Sequence, residues 1–361
     1  MMDKSKIIET TGLTFDDVLL VPNFTDIKRD EVDVSTDLTA KIRLKLPLLS
    51  SPMDTVTNAE LAIALGKLGG LGVVHRNFTV SGQAAEVKKV RKEVDLVAAA
   101  VGVGKDLEER IEALVKEGVN VIVVDSAHGY SKGVIEATKY IARQYKDIAL
   151  IAGSIATAAG AKALIEAGAQ CLRVGMGPGS ICTTRVVAGI GVPQVTALFD
   201  TVSIASRYNV PVIADGGLRF SGDIVKALAC GATTVMSGSL FAGCREAPGK
   251  VVKRNGKLYK SYRGMGSVGA MKEGSAMRYG QEYRRGQERK LVAEGVEGMV
   301  PYKGTVEEVV TQLMGGLRSG MYYVGAASIA KLQEKARFIQ VTQASLTESH
   351  PHDILINEGV R

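Results

Sequence analysis

The stretch of sharpest chemical content is Gly175-Met176-Gly177-Pro178-Gly179-Ser180-Ile181-Cys182-Thr183-Thr184-Arg185. Glycines without a Cβ let backbone N–H groups approach an anion, and the Ser180 hydroxyl adds a donor. Cys182 follows directly, where backbone donors and arginines favour the thiolate, the nucleophilic form of the side chain. A lone cysteine is more often a small buried hydrophobe. Cys171, Cys230 and Cys244 keep that reading, the first in a strand-like run and the second before a helix-ending glycine. Gly216-Gly217 and Gly238-Ser239 each close an apolar run and offer a place for phosphate. Asp215 either accepts hydrogen bonds from ribose hydroxyls or caps the next helix. His128 is either a general base or a packing histidine, and His75 is similar. His350 and His352 lie in a polar tail, and neither has a second ligand at metal spacing.

The elements that position these loops show in a recurring cadence: an amphipathic Leu/Ala-rich stretch, a glycine, then an apolar run ending in small or polar residues. LAIALGKLGGLGVVH, IEALVKEGVNVIVVDSAHG, AKALIEAGAQCLRVGMGPG and IVKALACGATTVMSGS all follow it. The glycine suits a helix C′ position, and the run after it is apolar on both faces, like a buried parallel strand. Eight such runs begin near Leu48, Leu71, Val97, Val121, Ala149, Cys171, Val210 and Thr234. That count predicts an α/β fold of the (β/α)8 TIM-barrel type rather than a doubly wound sheet. The run ends then fall on the barrel's active face, among them Ser50 to Asp54, His75-Arg76-Asn77 and Asp125 to Gly129. Residues 245–265 predict a hairpin finger turning at Asn255-Gly256. Residues 267–303, polar and Gly-rich, predict a lid after the eighth strand or a surface insert.

Composition narrows the function classes. The 361 residues carry 45 Lys+Arg against 38 Asp+Glu, a net charge of +7, with 46% hydrophobic residues, as in an ordinary globular chain. A single barrel domain spanning 1–361 is expected. No apolar run reaches the ~18 residues of a membrane span. The charged segment Met1 to Thr11 lacks the apolar core of a secretory signal. Four scattered cysteines form neither a zinc knuckle nor a disulfide framework, which points to a reducing cytoplasm. Positive charge is spread and aromatics are 5%, so a small anionic ligand fits better than nucleic acid.

GLTFDDVLL, SSPMDTVT, DSAHGYSKGV, VGMGPGSICTTR, VAGIGVPQ, ADGGLRFSGD and KSYRGMGS together resemble the inosine-5′-monophosphate dehydrogenase family, from about Leu13 to Asp353. The resemblance implies a homotetrameric (β/α)8 barrel that oxidises IMP to XMP with NAD+ and water, in guanine nucleotide biosynthesis. It makes Cys182 the nucleophile at C2 of the hypoxanthine, giving a covalent thioimidate that water hydrolyses. Ser180, Gly217, Gly238, Ser239 and Tyr262 would hold the phosphate, Asp215 the ribose, and Met265, Gly266 and Glu294 the base edge. Ser51, Met53, Arg173, Gly216 and Gly264 complete the implied substrate contacts. Asp125, Ser126 and the Gly175-Met176-Gly177 turn would face NAD+. Residues 267–303 become a mobile flap that closes after NADH leaves. Arg278, beside Tyr279, is implicated as the base that activates water, assisted by Thr184. A guanidinium is hard to deprotonate, so a desolvated site or a Thr184–Glu294 proton relay is the companion reading. The resemblance also implies K+ on the carbonyls of Gly177, Gly179 and Cys182, completed by Glu348, Ser349 and His350 of a neighbouring subunit.

The chain departs from that family in three places. The paired regulatory CBS modules usual between strands two and three are absent at about 92–95, where only the AAEVKKVRKEV stretch makes the connection. Ser154 stands where the family usually has Asn. Gly280 follows Tyr279 where an aromatic is common, which adds ~0.5–1 kcal/mol of backbone entropy to flap closure. Two rivals follow. GMP reductase shares the barrel, cysteine loop and second threonine, but lacks this flap pattern and typically has Asn at the place of His128. A non-catalytic nucleotide-binding barrel would keep the phosphate site without turnover.

Overall fold

In a computed structural model describing residues 6–286 and 288–354, the eight apolar runs form parallel strands. They are β1 (Leu48–Ser50), β2 (Leu71–Val74), β3 (Ala98–Val101), β4 (Val121–Asp125), β5 (Ala149–Ile155), β6 (Cys171–Val174), β7 (Val212–Asp215) and β8 (Thr234–Ser237). Each pairs with its neighbours in sequence and β8 returns to β1, so the sheet closes into the expected barrel. Two strands start later than the apolar pattern suggested. The Val97 N–H donates to the Asn120 side chain (2.9 Å), leaving β3 to begin one residue on. Pro211 has no N–H for the ladder, so β7 begins after it.

Helices α1 (Ala59–Lys67), α2 (Val80–Arg91), α3 (Leu107–Lys116), α4 (Lys132–Gln144), α5 (Ala158–Glu166), α6 (Gln194–Ala205), α7 (Ser221–Ala229) and α8 (Val306–Val324) surround the strands. The side chains of Asn58, Thr79, Thr157 and Thr305 accept backbone N–H groups at four of the helix starts. Past the ends of α3 and α5, Gly118 (φ 86°) and Gly168 (φ 100°) adopt the left-handed conformation that the cadence implied. Between β2 and β3 the only helix is α2.

Strand alternation separates two cores. Leu49, Val73, Ala100, Val123, Ile151 and Ile213 fill the barrel interior. Leu38 and Leu44 join them from a hairpin, Thr36–Thr39 with Ile42–Leu44, that Thr36 ties to the Thr233 carbonyl ahead of β8. A second apolar cluster, including Leu61, Leu65, Ile111 and Ile141, lies between strands and helices.

After β8 the chain builds a finger. β9 (Val252–Arg254) and β10 (Lys257–Arg263) pair antiparallel across Asn255 (φ 47°) and Gly256 (φ 77°). The positive φ at both residues is what a type I′ turn requires. β11 (Glu297–Pro301) adds a third strand on β10. The stretch 267–303 is therefore not loop throughout, because its last part completes the finger sheet. Among the described residues, no helix is long and apolar enough to cross a membrane.

Gly72 of β2 sits against α1 so closely that a Cβ would lie 2.5 Å from the Ala62 Cα. Gly72→Val should therefore destabilise the barrel by about 1–3 kcal/mol. Exposed Gly315, inside α8 with open space around it, should gain about 0.5–1 kcal/mol as Gly315→Ala. Urea-unfolding midpoints of the two variants should move in opposite directions.

Candidate active site

Alternation along the strands carries polar side chains to the barrel's C-terminal mouth. Two residues beyond inward-facing Val123, Cys171 and Ile213 come Asp125, Arg173 and Asp215. Arg173 lies between the two carboxylates, with Nη1 2.8 Å from Asp125 Oδ1 and Nε 3.5 Å from Asp215 Oδ2. Gly153, their neighbour in the ladder, has no room for a Cβ, which would fall 2.4 Å from the Arg173 carbonyl. Asp125 meets two more guanidiniums, Arg278 in direct contact and Arg76 at 4.0 Å. The Asp125 and Arg173 side chains are each 1% exposed, so these charges compensate one another away from water. Burial holds Asp215 above the usual carboxylate range despite Arg173. Burial also lowers the pKa of Arg173, of Arg76 to about 10, and of Arg278, where the Arg76 charge acts in the same direction.

The loop leaving β6 carries Cys182. A bridge to Gly295 fixes its course: the Thr183 N–H donates to the Glu294 carbonyl and the Val296 N–H to that of Ile181, both at 3.0 Å. The half-buried Cys182 thiol donates to Thr184 Oγ1 (3.3 Å), at the start of a single helical turn, Thr184–Val187. The Tyr279 ring packs on Gly266, where a Cβ would fall 2.8 Å from Tyr279 Cζ. Burial raises the Tyr279 hydroxyl pKa, and Arg278 opposes it.

At the ends of β7 and β8, the backbone N–H groups of Gly217, Gly238 and Ser239 have no partner among the described residues. Gly238 must lack a side chain, because a Cβ would lie 2.7 Å from both Met53 Sδ and the Tyr262 hydroxyl. Free amides beside a buried tyrosine make an anion cradle. Cradle and cysteine share one open cleft at the barrel mouth.

Most of the sequence-derived site residues line this cleft: Ser51, Met53, Ser126, Arg173, Gly175 to Cys182, Thr184, Asp215, Gly216, Gly217, Gly238, Ser239, Tyr262, Gly264, Met265, Arg278, Tyr279 and Glu294. Asp125 does not reach its surface, being covered by its arginines, and Gly266 sits behind Tyr279. Glu348, Ser349 and His350 are also off the cleft, in and just after the exposed turn Ser345–Glu348, with the His350 ring 6.1 Å from that of Phe220. The carbonyls of Gly177 and Cys182 are unpaired among the described residues, while that of Gly179 accepts the Cys182 N–H (3.1 Å).

Four readings change or resolve. His128 is exposed and off the cleft, so its ring is neither packed nor placed as a base there. Asp215 does not cap α7; Asp223 does, accepting the N–H groups of Arg219 (2.9 Å) and Phe220 (3.2 Å). Gly280 takes φ 67°, the left-handed end of the Ala276–Tyr279 turn, so the entropy charged to it is offset by a conformation other residues enter with strain. Cys171, Cys230 and Cys244 are buried, and burial pushes their thiols up, to about 12 for the last two. Sequence reasoning gave no role to Arg76, Gln194 or the Asp54–Arg263 pair. Strand-end placement marks Arg76 and Asp54, but nothing local marks Gln194, whose Nε2 donates to the carbonyls of Val174 (2.9 Å) and Asp215 (3.2 Å).

His75, just past β2, is buried, stacks on Phe78 (4.2 Å between centroids) and accepts the Asn77 N–H (3.1 Å). Burial lowers its pKa from 6.5 to about 4, against the pull of Asp54. The unfolded chain thus takes up this proton at higher pH than the folded one. The resulting stability is complete above pH 6.5 and lost as pH falls towards 4, by about 3 kcal/mol in all. Urea midpoints measured from pH 7 to pH 5 should fall more steeply for the wild type than for His75→Asn.

Comparison with known proteins agrees with this geometry. Residues 12–352 match the family described as IMP dehydrogenase / GMP reductase domain. The inosine-5′-monophosphate dehydrogenase of Cryptosporidium parvum is 46% identical, with 97% of each chain covered. That of Borreliella burgdorferi is 45% identical over 96% of this chain and 98% of its own. The Aquifex aeolicus enzyme of the same name is 42% identical over an alignment of 474 residues covering 96% of each chain. With the match spanning nearly the whole barrel and its cysteine loop, the chain belongs to the IMP dehydrogenase / GMP reductase family.

Proposed function

We propose that this chain oxidises IMP to XMP with NAD+ in guanine nucleotide biosynthesis. The observation that carries this reading is the meeting, in one cleft, of the Cys182 thiol with Thr184, Arg278, Tyr279 and the amide cradle. The amides of Gly217, Gly238 and Ser239, with the hydroxyls of Ser180 and Tyr262, bind the 5′-phosphate. Asp215 accepts from the ribose, while Met265 and Glu294 meet the base. The Cys182 thiolate attacks C2, a hydride leaves that carbon, and the resulting thioimidate is hydrolysed by water to XMP and the free thiol. Bound NAD+ supplies the hydride acceptor.

Ser126 and Gly175 to Gly177 fit the cofactor, since they line the same cleft as Cys182. Asp125, the other residue implied for NAD+, is covered by Arg278. The segment carrying Arg278 must therefore withdraw before a cofactor reaches Asp125, which supports reading the stretch from 267 to 296 as a flap, here in its closed position. Closed, it places a desolvated Arg278 and Tyr279 for the hydrolytic half, with Thr184 and Glu294 in reach of the same cleft. The unpaired carbonyls of Gly177 and Cys182, with Gly179, suit K+. Glu348, Ser349 and His350 do not line their own chain's cleft, which fits their donation across a homotetramer interface. Four free thiols fit a cytoplasmic enzyme. The Aquifex alignment, longer than these 361 residues, fits the absence of a CBS pair where α2 alone links β2 to β3.

NADH absorbance with IMP, NAD+ and K+ should show turnover by the wild type and none by Cys182→Ala, with IMP binding retained. Turnover surviving in the variant would remove Cys182 from the mechanism, and turnover only with GMP and NADPH would make the chain a reductase. Arg278→Ala should keep a first-turnover burst of NADH while steady-state turnover falls about 10²-fold or more.

A further inference from the structure

Asp54, in the loop after β1, lies outside the cleft and holds Arg263 at the end of β10 in a two-pronged ion pair. Arg263 Nη2 is 2.7 Å from Asp54 Oδ2 and its Nε 3.1 Å from Oδ1. The Asp54 side chain is 8% exposed and also accepts from Asn77 Nδ2 (2.9 Å), beyond the end of β2. The Arg263 N–H donates to Thr55 Oγ1 (3.2 Å), so the main chain and the side chain of Arg263 are fixed to one loop. Immediately after it comes Gly264, whose missing Cβ would lie 2.9 Å from the Ile181 carbonyl, one residue before Cys182. Gly264 donates to the Val296 carbonyl (2.9 Å), and Gly264 and Met265 line the cleft.

We propose that the Asp54–Arg263 pair is a positioning element that sets the Gly264–Gly266 turn against the cysteine loop and thereby governs recognition of the substrate's base. The inference rests on IMP as substrate. It concerns chiefly the base end of the ligand: Tyr262, one residue before Arg263, reaches the phosphate side, but the amides of Gly217, Gly238 and Ser239 make no bond with either residue of the pair. A planar fork on a carboxylate fixes direction as well as distance, which a lysine at the same place would not do.

Asp54→Asn and Arg263→Met should each raise the KM for IMP about tenfold or more, since small displacements at a reacting centre are costly. Inhibition by ribose 5-phosphate, which lacks the base, should stay within about twofold of the wild type. Arg263→Lys should fall between wild type and Arg263→Met, and the double variant should be no worse than the worse single one. Should Arg263→Met fail to fold, Arg263→Lys reads the same two affinities. IMP affinity within about twofold of wild type, or IMP and ribose 5-phosphate weakened by the same factor, would overturn the proposal. Calorimetric IMP binding separates the two readings: a wild type that binds IMP without turnover fails the proposed reaction, yet still tests the pair.

Discussion

One buried carboxylate organises the mouth of this barrel. Asp125, with 1% of its side chain exposed, keeps its charge out of water only because guanidiniums surround it. They come from three distant places: Arg173 on β6, Arg76 after β2, and Arg278 between β10 and β11. Arg173 has a second carboxylate in Asp215, whereas Arg76 and Arg278 have Asp125 alone among the described residues. Asp125 is thus shared between Arg173, held inside the barrel, and two arginines that reach it from loops.

That asymmetry extends to the backbone. The end of the Arg278 segment is pinned, because Glu294 and Val296 bond the cysteine loop and β11 completes the finger sheet. Residues 281 and 292 bond chiefly to each other, Gln281 donating to and accepting from Val292 at 2.9 Å. The middle holds to the barrel through the Arg278 side chain, its carbonyl on the Ala127 N–H (3.3 Å), the Ser275 hydroxyl on the Met265 carbonyl, the packing of Tyr279 on Gly266, and the buried Met271 and Ala276.

Much of this was legible in the residues. Eight βα units show because a strand buried on both faces has to be apolar along its length and most of the helices stop just before a residue at positive φ, such as Gly69, Gly118, Gly168 and Gly231. Cys182 and the glycine turns show because close backbone approach and nucleophilic chemistry draw on few residue types. The third finger strand does not show, since Glu297–Pro301 has no apolar alternation and pairs because β10 offers it an edge. His128 misleads, for a histidine at a strand end can as readily face water as a substrate. Asp54–Arg263 escapes local reading because the partners are 209 residues apart and only the closed barrel brings them together.

The short link between β2 and β3 bears on how such a barrel changes over generations. Its last turn opens onto exposed residues at Lys92 and Glu93, while β2 and β3 keep their register through Val73–Ala98 and Val74–Ala99. Loop-closure entropy rises only as the logarithm of length, by about 0.6 kcal/mol per doubling. A folded module with neighbouring termini can therefore enter or leave at this point without disturbing strand pairing, the Asp125 cluster or the cysteine loop. Gain and loss of such a module are nearly neutral for the fold, so its history there can run independently of the chemistry.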